Sequence, residues 1–282
     1  MTLTLFSAVI LGIVEGLTEF LPVSSTGHLT IVSKMLGYPI DDPAVTAFTA
    51  VIQVGAIAAV IIYFWSDISR LLLAWVRGLF NKAHRSDPDY RMAWLVIFGS
   101  LPIAIVGFAL RHFISNQLRS LWIVAVALIV WGVVMLIAEA VAKQNRGEKE
   151  LNLIDVLLIG FAQCLALIPG VSRSGATISV GLMRGLDRVA ATRLSFLLGI
   201  PALIGAGAYE LPTALKGGSA GGRVVVGALP TVVATVVSFV VAYAAVAWLL
   251  KFVSGHKITS FVWYRWLVGV ALIIALSAGY LT

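Results

Sequence analysis

The chain has 282 residues, of which 60% are hydrophobic and only 12% charged, and its mean hydropathy is +1.00. Soluble domains are about half apolar and about a quarter charged, so this balance excludes an ordinary soluble domain and points to an integral membrane protein. The single cysteine, Cys164, excludes an internal disulfide framework, and the net charge of +7 reads as Lys and Arg in cytoplasmic loops, with no nucleic acid as partner.

In chain order, the opening MTLTLFSAVILG has no Lys or Arg before Lys34, and Glu15 and Glu19 interrupt what a signal peptide would keep apolar, so an uncleaved N-terminus is expected. Residues 3–36 form an apolar stretch broken by the polar cluster LPVSSTGH. Spans follow at 44–65, 93–110 and 121–142. A second broken stretch, 153–183, is interrupted by IPGVSRSGAT, and further spans follow at 194–212, 224–250 and 261–281. A spanning helix needs about 20 mostly apolar residues, which six of these runs supply. The halves of the two broken stretches are too short to span, so both are read as re-entrant helical hairpins. Irregular backbone at that depth is tolerated where it is buried in protein or lines a wet cavity. Long apolar runs without alternation argue against a β-barrel. The expected fold is an all-α integral membrane protein with about six transmembrane helices and two re-entrant hairpins.

Loop charge sets the orientation. With 153–183 re-entrant, thirteen Lys and Arg fall on the presumed cytoplasmic side: Arg70, Arg77, Lys82, Arg85, Arg91, Lys143, Arg146, Lys149, Arg184, Arg188, Arg193, Lys251 and Lys257. Five fall on the other: Lys34, Arg111, Arg119, Lys216 and Arg223.

The two broken stretches are also related to each other. A shift of 148 residues places Gly12 on Gly160, Glu15 on Gln163, Val23-Ser24 on Val171-Ser172, Gly27 on Gly175 and Phe48 on Phe196. GSLP at Gly99–Pro102 further resembles GALP at Gly227–Pro230. The loop charges make the halves, 1–142 and 150–282, an inverted-topology repeat in a single membrane domain, with the working site expected where the two tips meet. Transporters share that architecture, so it does not distinguish an enzyme from a transporter or lipid flippase.

The polar residues carry the chemistry. Glu15 and Glu19 are four apart and share a helical face, where like charges repel; a divalent cation, an arginine or a shared proton would each account for the pair. The first break supplies Ser24, Ser25, Thr26 and His28, hydroxyls and amides suited to an anion at a helix N-terminus, with His28 able to act as base or nucleophile. The second supplies Arg173 between Ser172 and Ser174, a natural phosphate ligand or an ion-pair partner for the glutamates. Together they suit phosphoryl transfer, and without a Walker-type loop the phosphate is not expected to come from ATP. A site embedded in lipid meets a phosphate on a lipid tail most readily.

VEGLTEFLPVSSTGH together with PGVSRSGAT resembles the bacterial undecaprenyl-diphosphate phosphatase family, the bacitracin-resistance type, and FTAVIQVGAIAAV and YRW extend the likeness over almost the whole chain. The resemblance implies hydrolysis of undecaprenyl diphosphate to the monophosphate at the outer face of the bacterial plasma membrane, recycling the lipid carrier for wall synthesis and conferring bacitracin resistance. It implies Glu15 and Glu19 as an acidic motif tied to catalysis and to a divalent cation (Mg or Ca). It further implies Ser25 and His28 as candidate nucleophile and base, Arg173 as the phosphate clamp, and Ser24, Thr26, Ser172, Ser174 and Thr177 as a hydroxyl lining. Gln53, in the span after the first hairpin, is a further candidate to face the substrate. The expected partners are the substrate lipid, membrane lipids and a second copy of the chain as a homodimer. Ser25 is favoured as nucleophile, with His28 or a glutamate handling its proton; attack by His28 is the alternative.

Overall fold

Side-chain caps mark where several helices begin. Thr4, Asp42, Asp87 and Asn152 each accept a backbone N–H from the first turn that follows, and Pro43 and Pro88 occupy first helical positions, where a missing N–H costs nothing. The structure, a computed structural model, describes residues 1–110, 120–215 and 223–281, the side chains of 208–215 excepted. Arg111, Arg119 and Lys216 of the charge argument lie outside the described residues.

Among the described residues there are eleven α-helices. They are α1 (Leu5–Thr18), α2 (Ser25–Met35), α3 (Pro43–Tyr63), α4 (Trp65–Phe80), α5 (Pro88–Ala109) and α6 (Leu121–Val141), followed by α7 (Leu153–Leu165), α8 (Arg173–Met183), α9 (Arg188–Leu215), α10 (Ala228–Gly255) and α11 (Thr259–Ser277). Six of these, α3, α5, α6, α9, α10 and α11, are long and apolar enough to cross a membrane, and the protein is a multi-pass membrane protein. They match the six expected spans to within a few residues. One helix was not anticipated: α4 occupies what the charge argument took as loop. It is amphipathic, with Leu71, Ala74 and Gly78 buried while Trp65, Leu72, Leu73 and Phe80 are exposed. At 16 residues it is too short to span, and its apolar outer face suits the plane of a membrane surface.

The helix pairs α1–α2 and α7–α8 follow one backbone plan. Their second helices, Ser25–Met35 and Arg173–Met183, are offset by the same 148 residues as the sequence match. Each is capped by a serine at positive φ, Ser24 at 78° and Ser172 at 76°, whose hydroxyl accepts the N–H of Gly27 or Gly175. A non-glycine residue there costs about 1–3 kcal/mol, which the caps and the surrounding contacts offset. Each helix also ends on a left-handed glycine, Gly37 and Gly185, past which the chain turns back through Tyr38 N–H to Ser33 O and Leu186 N–H to Gly181 O. GSLP and GALP are not equivalent in the same way. Gly99–Pro102 lies inside α5, whereas Gly227 is the N-cap of α10; short Gly/Pro motifs match easily between apolar helices.

Each pair starts and ends at the same end of the molecule. Thr4 N–H reaches Tyr38 Oη, which donates to Ser7 Oγ, tying the start of α1 to the end of α2. Arg184 Nε donates to Asp155, tying the end of α8 to the start of α7. The two open ends lie apart, separated by the length of α3, about 30 Å. At one end Arg223 pairs with Asp41 and its N–H bonds Asp42. At the other, Arg193 bonds Asp67 and Glu148 while Arg146 and Arg184 share Asp155. The basic loops assigned to one side are thus gathered at one end.

The first arm of each pair packs on a span from the other half of the chain: α1 on α10 and α7 on α5. Glycine permits both approaches. A Cβ on Gly12 would stand 2.6 Å from Ala234 O, and one on Gly160 would stand 2.2 Å from Gly99 O.

Candidate active site

The two breaks meet in the interior. Gly170 N–H donates to Ser24 Oγ at 3.1 Å, and Ser174 Oγ donates to Leu21 O at 3.0 Å. Pro22 supplies no N–H and Gly170 adopts φ 102°, so neither break can continue as helix. Both leave a carbonyl inside the protein, Pro22 O and Gly170 O, which are equivalent under the 148-residue shift. A single residue donates to both: Arg265 on α11, fully buried, reaches Pro22 O at 3.0 Å and Gly170 O at 2.7 Å. Its remaining bonds go to Ala127 O and Leu128 O of α6.

The juxtaposition gathers the chemistry. Glu19 ends α1 and Ser25 begins α2, and the turn between them brings Ser25 Oγ to 2.5 Å from Glu19 Oε2, where it donates a short hydrogen bond. Gln53 Nε2 reaches the same oxygen at 3.4 Å. The other oxygen, Glu19 Oε1, lies 3.6 Å from Arg173 Nη2. Hydroxyl and guanidinium therefore bracket one carboxylate. Phe20 flanks the arginine, its ring 5.8 Å from Arg173 Cζ, and packs edge-on to Phe196.

Several of these groups are unsatisfied. All three guanidinium nitrogens of Arg173 are buried without a hydrogen-bond partner, and so is Glu15 Oε1, among the described residues. Buried polar groups are rarely left unpaired, since each costs about 1–3 kcal/mol and charged ones more. A guanidinium with free donors beside a carboxylate with a free acceptor suits an occupant that carries both signs, such as a phosphate with a cation.

The remaining expected residues fall into three placements. Ser24, Ser172, Ser174 and Thr177 are buried with their hydroxyls in protein hydrogen bonds: Ser172 to Ser174 at 3.1 Å, and Thr177 to Ser195 at 2.7 Å. Thr26 is exposed on the first turn of α2, and Ser25 is partly exposed beside it. His28 points elsewhere. Its Nδ1 pairs with Ser24 O and its Nε2 with Tyr264 Oη, each at 2.8 Å, and its ring stacks on Tyr264. No hydrogen bond joins it to Glu19, Ser25 or Arg173 among the described residues.

Sequence reasoning counted Tyr264 and Arg265 within the YRW of the resemblance without giving either a role, and passed over Ser195 and Gly199. An arginine within an apolar span is costly and was a signal for Arg265, though its partners lie 95 to 243 residues away.

Comparison with known proteins decides the family. The pattern described as "Bacitracin resistance protein BacA" matches residues 8–271. The chain belongs to the bacitracin resistance protein BacA family. Relatives of this BacA-family chain include an undecaprenyl-diphosphatase of Cutibacterium acnes, 56% identical over 94% of this chain and 95% of the relative. An undecaprenyl-diphosphatase 1 of Streptomyces coelicolor is also 56% identical, over 97% and 96%. An undecaprenyl-diphosphatase 3 of Frankia casuarinae is 54% identical over 98% of both chains.

Proposed function

We propose that this protein hydrolyses undecaprenyl diphosphate to undecaprenyl phosphate and inorganic phosphate, in the bacterial plasma membrane, and thereby recycles the lipid carrier and confers bacitracin resistance. The observation that carries the reading is the Arg173 guanidinium, buried with free donors beside a carboxylate that already holds the Ser25 hydroxyl. A terminal phosphoryl group held by Arg173 lies within reach of Ser25 Oγ.

In this mechanism Ser25 Oγ forms a bond to the terminal phosphorus as the bond from that phosphorus to the bridging oxygen breaks. The hydroxyl proton passes to Glu19 Oε2, and the bridging oxygen leaves with its electron pair as undecaprenyl phosphate. Glu19 releases the proton, then accepts one from the water that attacks the phosphoserine, and returns it to Ser25 Oγ as phosphate departs. Arg173 holds the equatorial oxygens and stabilises their charge through both steps. Glu19, itself held by Gln53, orients the hydroxyl, and His28 holds the turn through Ser24 O and Tyr264. Ser24, Ser172, Ser174 and Thr177 shape the anion site by fixing the two tips, and Thr26 is placed to meet substrate from outside.

Glu15 and Glu19 fit a divalent cation, two carboxylates with one free oxygen being what Mg²⁺ or Ca²⁺ takes alongside substrate phosphates. Bound there, the cation supplies charge neutralisation on the diphosphate. The reading includes both helix pairs as re-entrant hairpins, tips at membrane depth, in an inverted repeat of 1–142 and 150–282. Matched caps, open ends at opposite ends of the molecule and reciprocal packing support it. With the basic loops cytoplasmic, the open end of the α1–α2 pair faces the extracytoplasmic side, and the substrate headgroup reaches Ser25 and Thr26 at membrane depth from there. A homodimer is part of the proposal, each span keeping an apolar outer face; crosslinking in native membranes to the mass of one or two chains decides it.

Purified protein in detergent, supplied with undecaprenyl diphosphate and Mg²⁺ or Ca²⁺, is expected to release inorganic phosphate and to stop on chelation. No release above background with any divalent cation would sink the enzyme reading in favour of a transporter.

A further inference from the structure

The face of α9 toward the site advances by one helical turn from Ser195, which bonds Thr177 of α8, to Gly199. A Cβ built on Gly199 would stand 1.1 Å from Arg173 Nη1, 2.3 Å from Cζ and 3.0 Å from Nη2. Other close-packed glycines meet something different. At Gly12, Gly16, Gly55 and Gly160 the nearest atom is a backbone carbonyl oxygen, which marks a helix crossing, and at Gly78 and Gly132 it belongs to an aromatic ring. Gly199 is the one described glycine whose nearest neighbours are all guanidinium atoms.

We propose that Gly199 is a positioning residue for the reaction: the notch left by its missing side chain seats one edge of the Arg173 guanidinium and so holds Nη2 toward Glu19. This rests on the phosphatase reading above. The Arg173 side chain is 9% exposed and its guanidinium makes no hydrogen bond among the described residues, so its position is held by shape, between this notch and the Phe20 ring, and by the charge of Glu19. A methyl group at 199 overlaps Nη1 and must expel it. What moves is the far end of a flexible side chain, while the three nearest atoms include no backbone, so the fold keeps its helix packing. Gly199 lies in a helix interior at an ordinary backbone conformation, where alanine is the better helix former.

Gly199→Ala should therefore separate activity from stability. Displacing a positioning group by about an ångström costs on the order of 100-fold, and that loss in kcat/KM is expected for phosphate release from undecaprenyl diphosphate by the purified full chain, with the thermal unfolding midpoint unchanged or raised. Gly205→Ala, in the same helix with open space around it, should retain the parent rate. Arg173→Lys should lower the rate severely in the parent chain and far less in the Gly199→Ala background, because the two changes remove the same contact. A Gly199→Ala enzyme within about threefold of the parent rate, or one whose activity loss comes with a lowered midpoint, would overturn the inference and leave the phosphatase reading intact. A parent protein without turnover would instead overturn that reading.

Discussion

Arg173→Ala is expected to lower kcat/KM for undecaprenyl diphosphate by about a thousandfold or more, the range in which an arginine that stabilises a transferring phosphoryl group acts. Among the described residues the guanidinium has no competing hydrogen bond to break, so its donors are free to pair with substrate oxygens. The alanine variant also leaves Glu15 and Glu19 buried together without the neighbouring positive charge, a cost that registers as lost stability. Arg173→Lys resolves the two effects: it keeps the charge and loses the planar pair of donors. Phosphate release well below the parent rate from a lysine variant with the parent's unfolding midpoint is the expected outcome. Parent-like turnover in both variants would remove Arg173 from the mechanism.

Arg265→Met should produce the largest loss of stability among single changes near the site. Pro22 O and Gly170 O, the paired carbonyls of the two breaks, have no other donor among the described residues. Leaving both buried and unpaired costs about 1–3 kcal/mol each, and the bonds to Ala127 O and Leu128 O go as well. A destabilisation of about 3 kcal/mol is expected, read as a drop in unfolding midpoint in detergent, with turnover falling because the tips separate. Arg265→Lys should not restore it, since one ammonium cannot span carbonyls that belong to two different breaks and a third helix. An Arg265→Met protein with the parent's midpoint and rate would show that the tips are held by Ser24 and Ser174 alone.

What the sequence made legible was the all-helical class and the six helices long and apolar enough to cross a membrane. Six apolar runs of spanning length and two broken ones follow from hydropathy, and the breaks were evident from Pro22, Gly27, Pro169 and Gly170 within apolar surroundings. The matched Ser24 and Ser172 prove to be helix caps at positive φ, and the 148-residue match extends past the aligned residues to the left-handed Gly37 and Gly185. Helix α4 was missed because Arg70 and Arg77 were weighed as loop charge, although its apolar residues recur at helical spacing. The polar residues at the tips were found, but their division of labour was not. Ser24, Ser172 and Ser174 look like Ser25 in sequence, and only the partners across the two breaks separate hydroxyls that hold the tips from the one on Glu19. An arginine in an apolar span signals a role for Arg265, but which groups Arg265 and Gly199 meet is set by what lies opposite them in space, which no local pattern encodes.

The central claim is that Ser25, activated by Glu19, attacks the phosphorus held by Arg173. Its most direct test is a rapid-quench reaction of the purified protein with undecaprenyl diphosphate carrying radiolabel in the terminal phosphate, followed by peptide mapping. The account predicts an acid-stable phosphate on Ser25 that forms and decays at rates matching turnover and is absent from Glu19→Gln. An acid-labile phosphate on His28, or full turnover with no phosphorylated residue at any quench time, would contradict it.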